Sequence, residues 1–504
     1  MKKMHDVEKT RRAYHQDRMK NSTHRASLMV PELAGSHAEI SFLNHFLLKR
    51  GYTNVGCRLT AIDPEGARIE SRLVPITEPK VYTIPLTGMV QDTVDSYLVE
   101  FFSADNLFIP FPAVMINHVG DGFVNSVHAY NRVLNDVFED DDINQIHQRE
   151  AAIDVRCDNE IETFLVFQAG PQAVDGVLEA ELILRDGRTL TGDYSLKVPK
   201  LCHKRISIRD LFPDLALPLI GGTLKVRQPT QFMFYGRMLV GQQQGNGGAF
   251  SANHSYYDCA DFAEYWENDT PSTRIYPYMP GFDNILRFYP IMSPGELEFS
   301  LDLFGAAGQR LGDTEILGEI AVPNGKDLEQ SVTDILRRRG IDEADTKSFQ
   351  VSARPLSGNT PTRVNHQLVY GAGGLESSIN ISLTNSNVFI PETKTGFSWG
   401  QMPVGDAVSS SFGALGMMPS ETAGQFNLKL FSDKGMIVDR DLDIPAMSAA
   451  VFQDDDLVGS VLNDAEKSEG RYVWYQVSSK RADSNAVVVT KHRDTGHAVG
   501  EHAF

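Results

Sequence analysis

Hydrophobic and polar residues alternate at period two in many short stretches of this chain. Residues 55–62, 67–73, 176–184 and 295–304 show the alternation most clearly. Successive side chains of a β-strand point to opposite faces, so each stretch predicts a strand with one buried face. Residues 63–66, Asp-Pro-Glu-Gly, are typical of the turns that separate such strands. Short strands and turns at this density favour β-sandwiches over βαβ units.

A short motif around a histidine recurs and predicts that the chain contains repeats. The histidines are His128, His254, His366 and His502, which lie 126, 112 and 136 residues apart. A repeat of this length is a domain, since solenoid units are much shorter. The predicted organisation is a basic flexible tail (1–25), a first sandwich (26–131), an acidic linker with a second sandwich (132–258), a third sandwich (259–370), and a linker with a fourth sandwich (371–504).

A strand–turn–strand pattern recurs in the second, third and fourth units. An alternating strand that begins with glycine leads into a glycine-containing turn, and Val-Pro or Ile-Pro follows at residues 198–199, 322–323 and 444–445. This pattern resembles the immunoglobulin-like modules found in tandem in many bacterial surface and secreted proteins. The resemblance implies a bacterial, mainly β protein of three to four tandem sandwiches with short connecting helices. It also implies a role as spacer, adhesion unit or accessory binding domain.

Three other segments carry a local prediction. Residues 327–340 place apolar side chains on one helical face and end at a glycine, which predicts an amphipathic helix. Residues 390–420 are rich in Gly, Ser, Thr and Pro, which predicts a loop or linker. His502 and Phe504 lie two positions apart and would share one face of a strand, so residues 501–504 are predicted to close the fourth unit.

Composition narrows the classes of partner and the compartment. The 504 residues carry a net charge of −19, which disfavours binding to nucleic acid or to an anionic membrane surface. No apolar run approaches the roughly 20 residues of a membrane span, and residues 1–25 lack the apolar core of a signal peptide. The four cysteines are scattered, which predicts reduced thiols. A cytoplasmic protein is therefore predicted, with leaderless export to the cell surface as the alternative.

The dipeptide Asn-His is the most unusual polar feature of the sequence. It occurs at residues 44–45, 117–118, 253–254 and 365–366, while the fourth unit has Glu-His at 501–502. Imidazole beside an aromatic ring could stack on a sugar, and imidazoles from neighbouring units could hold a divalent metal. Alternatively, each histidine closes its own sandwich by bonding to a backbone carbonyl, as a tyrosine corner does. The repetition favours this structural role.

The surplus of polar and aromatic side chains around these histidines defines the candidate binding residues. They are Asn117, His118, Asn125, His128, Tyr130, Arg132, Asn253, His254, Tyr256, Tyr257, Asp258, Asn365 and His366.

The motif content favours binding over catalysis. No nucleophile elbow, phosphate-binding loop, dinucleotide fingerprint or zinc-protease helix occurs. The predicted function is a non-catalytic binding or scaffold protein that presents sandwich loops to a glycan or protein partner and needs no cofactor. The alternative is a carbohydrate-active enzyme, metal-dependent in one version, with His118, His128 or His254 as acid/base or ligand and Arg132 holding an anionic group. A homo-oligomeric assembly subunit is a third interpretation.

Overall fold

The fold is seen in a computed structural model, in which the chain is mainly β. The structure describes residues 24–109, 113–128, 131–133, 149–229, 233–245, 247–259, 265–266, 271–288, 295–322, 327–362, 364–385, 395–417, 424–480 and 483–504. The predicted basic tail and the acidic linker after residue 133 therefore lie almost wholly outside the described residues.

Four successive sets of eight strands make up the described chain, and we letter the strands of each set A to H in chain order. The first set is β1 (Arg25–Pro31), β2 (Ser36–Leu43), β3 (Val55–Ile62), β4 (Arg68–Ile76), β5 (Val81–Pro85), β6 (Ser96–Ser103), β7 (Met115–Gly120) and β8 (Phe123–His128), followed by β9 (Asn131–Val133). The second is β10 (Arg149–Cys157), β11 (Ile161–Gln168), β12 (Val174–Leu184), β13 (Thr189–Val198), β14 (His203–Ser207), β15 (Leu219–Gln228), β17 (Leu239–Gln244) and β18 (Phe250–His254), with β16 (Met233–Gly236) before strand G and β19 (Tyr256–Cys259) after strand H.

The remaining two sets contain eight strands each. The third is β20 (Ser272–Pro277), β21 (Asp283–Phe288), β22 (Gly295–Phe304), β23 (Glu315–Val322), β24 (Leu328–Ser331), β25 (Ser348–Ser357), β26 (Val364–Gly371) and β27 (Ser377–Asn385). The fourth is β28 (Thr395–Val404), β29 (Val408–Met417), β30 (Gly424–Ser432), β31 (Gly435–Ile444), β32 (Ala449–Gln453), β33 (Arg471–Lys480), β34 (Asp483–His492) and β35 (Ala498–His502).

Strand pairing follows one order in all four sets. One antiparallel run of each set is D-C-F-A and the other is E-B-G-H. In the second set β10 also pairs with β11, which joins its two runs into one sheet. Strand H therefore ends its four-strand run, although β27 also pairs with strand A of its own set. An antibody constant domain pairs its strands as ABED and CFG, so the order here is a different one.

The two sheets of each set pack face to face over a shared hydrophobic core. In the first set, Leu28 and Val99 of one sheet and Ile40 and Ile116 of the other belong to a single buried cluster. Burying each such side chain contributes roughly 1.5–3 kcal/mol. The period-two alternation of the sequence supplies these inward faces, which makes each set a β-sandwich.

Helices are short and lie between strands. Those of the described residues are α1 (His45–Arg50), α2 (Ile208–Leu211), α3 (Val332–Arg339), α4 (Asp454–Val458) and α5 (Asp464–Glu469). Within the residues described, none of them has the length and apolarity that a membrane crossing requires. The helix predicted over 327–340 forms only in its second half, because residues 328–331 pair with β21 and Ser331 then caps α3.

In the first, second and fourth sets the chain crosses after strand H to strand A of the opposite run, and in the third set the end of strand H itself reaches strand A. Strand β9 pairs with β1, and β19 pairs with β10. The end of β27 pairs with β20, and the Phe504 amide donates to the Trp399 carbonyl at 2.9 Å. Residues at the end of strand H therefore sit where two sheets of one sandwich converge.

Two segments depart from the predicted unit limits. Strand H of the third set lies at 377–385, beyond residue 370 where that unit was predicted to end. Residues 395–404 and 408–417, predicted as loop or linker, are strands A and B of the fourth set. Their small residues serve packing: Gly400 lies against the Tyr475 ring, and a Cβ at Gly413 would lie 2.7 Å from Pro277. Glycine in a strand marks such a close approach as well as a turn.

Candidate functional site: a buried histidine centre

The four H strands contact one another. Strand β8 contacts β18 and β35, and β27 contacts the same two strands, so the four strands form a closed ring. The glycine of β35 permits part of this approach, because a Cβ at Gly500 would lie 2.6 Å from Ser377 Oγ. The ring brings together residues that are hundreds of positions apart in the chain.

One polar side chain from each H strand bonds to the backbone of another H strand. Each of these bonds is buried, and they involve three asparagines and one glutamate. They are Ala252 N to Asn125 Oδ1 (2.7 Å), Asn253 Nδ2 to Gly500 O (3.3 Å), Asn380 Nδ2 to His254 O (2.9 Å) and His128 N to Glu501 Oε2 (3.0 Å). The polar groups that the ring buries thereby connect all four sets.

Three histidines and one carboxylate cluster at this meeting point. His128, His254, His502 and Glu501 each offer one ligand atom, and these atoms all lie within 4.8 Å of one another. The ring centroid of His128 is 4.5 Å from that of His254 and 4.8 Å from that of His502. Three different sets contribute the four residues, which we call the histidine centre.

Backbone carbonyls fix two of the three imidazoles. His254 Nδ1 lies 3.1 Å from the Ser255 carbonyl oxygen, and His502 Nδ1 lies 2.8 Å from that of Ala503. A neutral imidazole whose Nδ1–H donates to a carbonyl keeps Nε2 as an acceptor. Burial lowers the pKa of His502 to about 4. Burial and the nearby Arg237 charge hold the pKa of His254 well below its usual value. Both rings are therefore neutral at neutral pH.

Glu501 is the anionic member of the histidine centre. Its Oε1 lies 3.1 Å from His128 Nδ1, and Asn253 Nδ2 donates to its Oε2 at 3.3 Å. Burial acts to raise its pKa, but the charge and hydrogen bonds of His128, together with His502, lower the pKa to about 2. Glu501 is therefore ionised at any physiological pH.

Arg237 borders the histidine centre from the segment before strand G of the second set. Its Nη1 lies 3.5 Å from His128 Nε2 and 3.4 Å from His254 Nε2. The guanidinium places a fixed positive charge beside nitrogens that can accept a proton or a metal ion.

The structure brings together some of the predicted site residues. His128, His254 and Asn253 belong to the histidine centre or contact it, and Asn125 bonds to the neighbouring strand. The aromatic ring next to His128 is Phe504, with centroids 5.3 Å apart. Tyr130 lies outside the described residues, and the side chains of Arg132, Tyr256, Tyr257 and Asp258 do as well.

Other predicted site residues serve their own cores or a different contact. His118 Nε2 lies 3.1 Å from the Pro31 carbonyl oxygen, and His366 Nε2 lies 2.7 Å from Tyr276 Oη. Both histidines lie on strand G, although the repeat spacing had aligned His366 with residues that end strand H. Asn365 is buried beside His366 on the same strand. Asn117 bonds to Gln401 of the fourth set.

Four contributors to the meeting point were absent from the predicted site. Glu501 and His502 could have been found from the sequence, since Glu-His there replaces the Asn-His of the second set. Asn380 and Arg237 could not, because neither residue lies in a repeated motif.

Comparison with known proteins assigns no family. No protein-family model matches the chain, and neither does any curated protein. Among solved structures, the chain is similar to the tetra-tandem repeat in the extending region of a large adhesion protein, at 9% identity and a TM-score of 0.09, over 96% of this chain and 98% of that one. It is also similar to E. coli alpha-2-macroglobulin in its native conformation, at 10% identity and a TM-score of 0.12, over 96% of this chain and 29% of that one. TM-scores this low carry no argument about this chain.

Proposed function

We propose that this chain is a non-catalytic scaffold in which four immunoglobulin-like sandwiches, held as one body, present their outward loops to a glycan or protein partner. The observation that carries the proposal is the ring of H strands, in which every strand bonds through a side chain to the backbone of another set. Tandem domains that move independently of one another do not require such buried contacts between domains.

The hydrogen bonds between the sets add up to a substantial contribution. Groups separated from their partners would bond to water instead, so each bond contributes about 0.5–1.5 kcal/mol net. The second and third sets are also joined by a buried ion pair, in which Arg287 Nη1 lies 3.2 Å from Asp154 Oδ2. Separating the sets would break several such contacts at once, so the loops would keep a fixed relative position.

The burial of the histidines indicates that a glycan or protein partner binds at the loops and not at the histidine centre. His254 is only 2% exposed and His128 only 8%. An imidazole that stacks on a sugar must expose a ring face, and a general acid must reach its substrate. A partner would therefore meet the outward loops.

Calorimetry of the full chain tests whether the four sandwiches unfold as one body. We expect a single cooperative transition whose calorimetric and van't Hoff enthalpies agree. Asn380→Leu, which removes the bond to the second set, should broaden or split that transition, whereas a substitution at exposed Leu73 should leave it unchanged. Several separate transitions in the unmodified chain would contradict the proposal.

Binding measurements test the second half of the proposal. The full chain is applied to a glycan array and used as bait against proteins from its source, and each hit is then measured with purified components. Binding without chemical change of the ligand supports the proposal, and the two arms distinguish a glycan from a protein partner. Conversion of a bound saccharide to product would overturn it.

A further inference from the structure

We propose that His128, His254, His502 and Glu501 bind one divalent transition-metal ion of the zinc class, in a structural site that joins the first, second and fourth sets. The inference goes beyond the scaffold role and does not depend on it, because a metal ion can be measured without knowing any partner.

The donor set defines the class of metal. Three imidazole nitrogens and one carboxylate oxygen suit zinc, cobalt, nickel or copper, whereas calcium and magnesium require mostly oxygen ligands. Four protein ligands leave no open position, as in structural zinc sites, and three of the four ligands are buried while His502 is half-buried.

The distances are compatible with a tetrahedral site after small adjustments. Zinc holds imidazole nitrogens at about 2.0–2.1 Å, which places its ligand atoms roughly 3.4 Å apart. The ligand atoms here all lie within 4.8 Å of one another, so no pair must approach by more than about 1.4 Å. Shared among the four side chains, this movement needs only small rotations about their side-chain bonds.

The groups around the ligands hold two imidazoles in the form that a metal requires. A metal-bound histidine typically donates its other ring N–H to a backbone carbonyl or a carboxylate. His254 and His502 place Nδ1 at the Ser255 and Ala503 carbonyls, which leaves Nε2 as the coordinating nitrogen. Asn253 Nδ2 donates to Glu501 Oε2 and fixes the carboxylate.

Arg237 opposes the binding of a cation and supplies a diagnostic test. Its guanidinium lies 3.4 Å from His254 Nε2, where it repels a divalent ion. Removing the charge while keeping a polar side chain should therefore increase metal affinity. If the cluster has a purely structural role and binds no metal, the Arg237→Gln substitution should not produce metal binding.

The experiment measures metal in the full chain. Protein purified without chelator is analysed by elemental mass spectrometry, and metal-free protein is then titrated with zinc and with cobalt(II), whose visible spectrum reports tetrahedral coordination. We expect one ion per chain. His254→Gln, His502→Gln and Glu501→Gln should each weaken binding by roughly 100-fold, and Arg237→Gln should strengthen it by about 10-fold or more. The matched control is His366→Gln, a buried histidine of the third set, which should bind as the unmodified chain does.

Two results would overturn the inference. One is the absence of zinc or cobalt binding at millimolar metal, and the other is equal affinity in the three ligand variants and in the control. If the ligand variants fail to fold, X-ray absorption of the unmodified zinc-loaded chain decides the question. Three imidazoles and one oxygen support the site, whereas thiolate ligands or fewer than two imidazoles contradict it.

Discussion

The side-chain amides of Asn117 and Gln401 form a reciprocal pair across 284 positions of the chain. Gln401 Nε2 donates to Asn117 Oδ1 at 2.8 Å, and Asn117 Nδ2 donates to Gln401 Oε1 at 3.3 Å. Ser126 Oγ also donates to Asn117 Oδ1, at 2.7 Å. Because both amides are buried, the pair joins strand G of the first set to strand A of the fourth with its hydrogen bonds enclosed.

Breaking this pair on one side should be costly, and replacing both sides should be less so. Gln401→Leu leaves the buried Asn117 amide without its partner, which should lower the free energy of unfolding by about 2 kcal/mol. The double variant Asn117→Leu/Gln401→Leu should lose less than the sum of the single variants, because two apolar side chains then face each other. Denaturant unfolding of the four proteins measures the coupling, and additive losses would contradict the direct interaction.

The stability of the chain should fall as the pH drops below 6.5, in part because of His118. Burial lowers its pKa to about 4, an effect that the Pro31 carbonyl opposes and the charge of His203 reinforces. The unfolded chain, with a histidine pKa of about 6.5, then takes up the proton first, so the contribution is complete above pH 6.5 and is lost as pH falls towards 4.

Substitution of His118 isolates this contribution. For the unmodified chain, His118 alone should lower the free energy of unfolding by roughly 2 kcal/mol between pH 7 and pH 5. His118→Gln removes the titrating group and keeps a donor for the Pro31 carbonyl, so the slope between those pH values should flatten. Equal slopes in the two proteins would contradict a lowered pKa of His118 in the folded state.

The turns of the third and fourth sets touch so closely that one glycine cannot carry a side chain. A Cβ at Gly374 would lie 2.6 Å from backbone atoms of Gly496 and His497. Gly374→Ala should therefore cost on the order of 2–3 kcal/mol, since backbone must move to accept the methyl group. Gly295→Ala is the control, because the nearest atom to its Cβ would be 3.6 Å away, an ordinary contact. Thermal unfolding of both variants checks the difference.

The last strand should be essential to the stability of the ring of H strands. Deleting residues 498–504 removes β35 and the Phe504 ring, which stacks near Trp474 with centroids 6.1 Å apart. Full burial of a phenylalanine contributes roughly 1.5–3 kcal/mol, of which the partly buried Phe504 supplies a share, and the unpaired edge of β34 adds to the loss. We expect a clearly lower melting temperature, whereas the sequence predicts almost no change on deleting residues 2–22. Equal effects of the two truncations would contradict this role of β35.

Local sequence patterns predicted the positions of strands well. They gave almost no information on which strands of different sets contact one another. The alternation over residues 55–62 and 295–304 matches β3 and β22, because the two faces of a strand are determined by residues that are adjacent in the sequence. His128 and Glu501 contact each other across 373 positions, and no local pattern states which strands of different sets meet. The recurring histidine indicated where strand H ends in three sets, but His366 shows that a dipeptide alone does not identify its strand.

Small residues explain another difference between prediction and structure. The Gly, Ser and Thr of residues 395–417 resembled a linker in composition, yet they form two paired strands. Their size leaves room for neighbours such as Tyr475 and Pro277. Composition shows only that this segment lacks large apolar side chains. Whether it packs in the core depends on the large side chains that neighbouring strands place against it.

The histidine centre joins residues that the ribosome makes at very different times. The ribosome adds about 5–20 residues per second, and 248 residues separate His254 from His502. The first two sandwiches therefore emerge roughly 12–50 s before the residues that complete their shared centre. During that interval the edges of β8 and β18 stay open to solvent and to other nascent chains. Closure of the ring is a late event, reached only when translation has delivered the fourth sandwich.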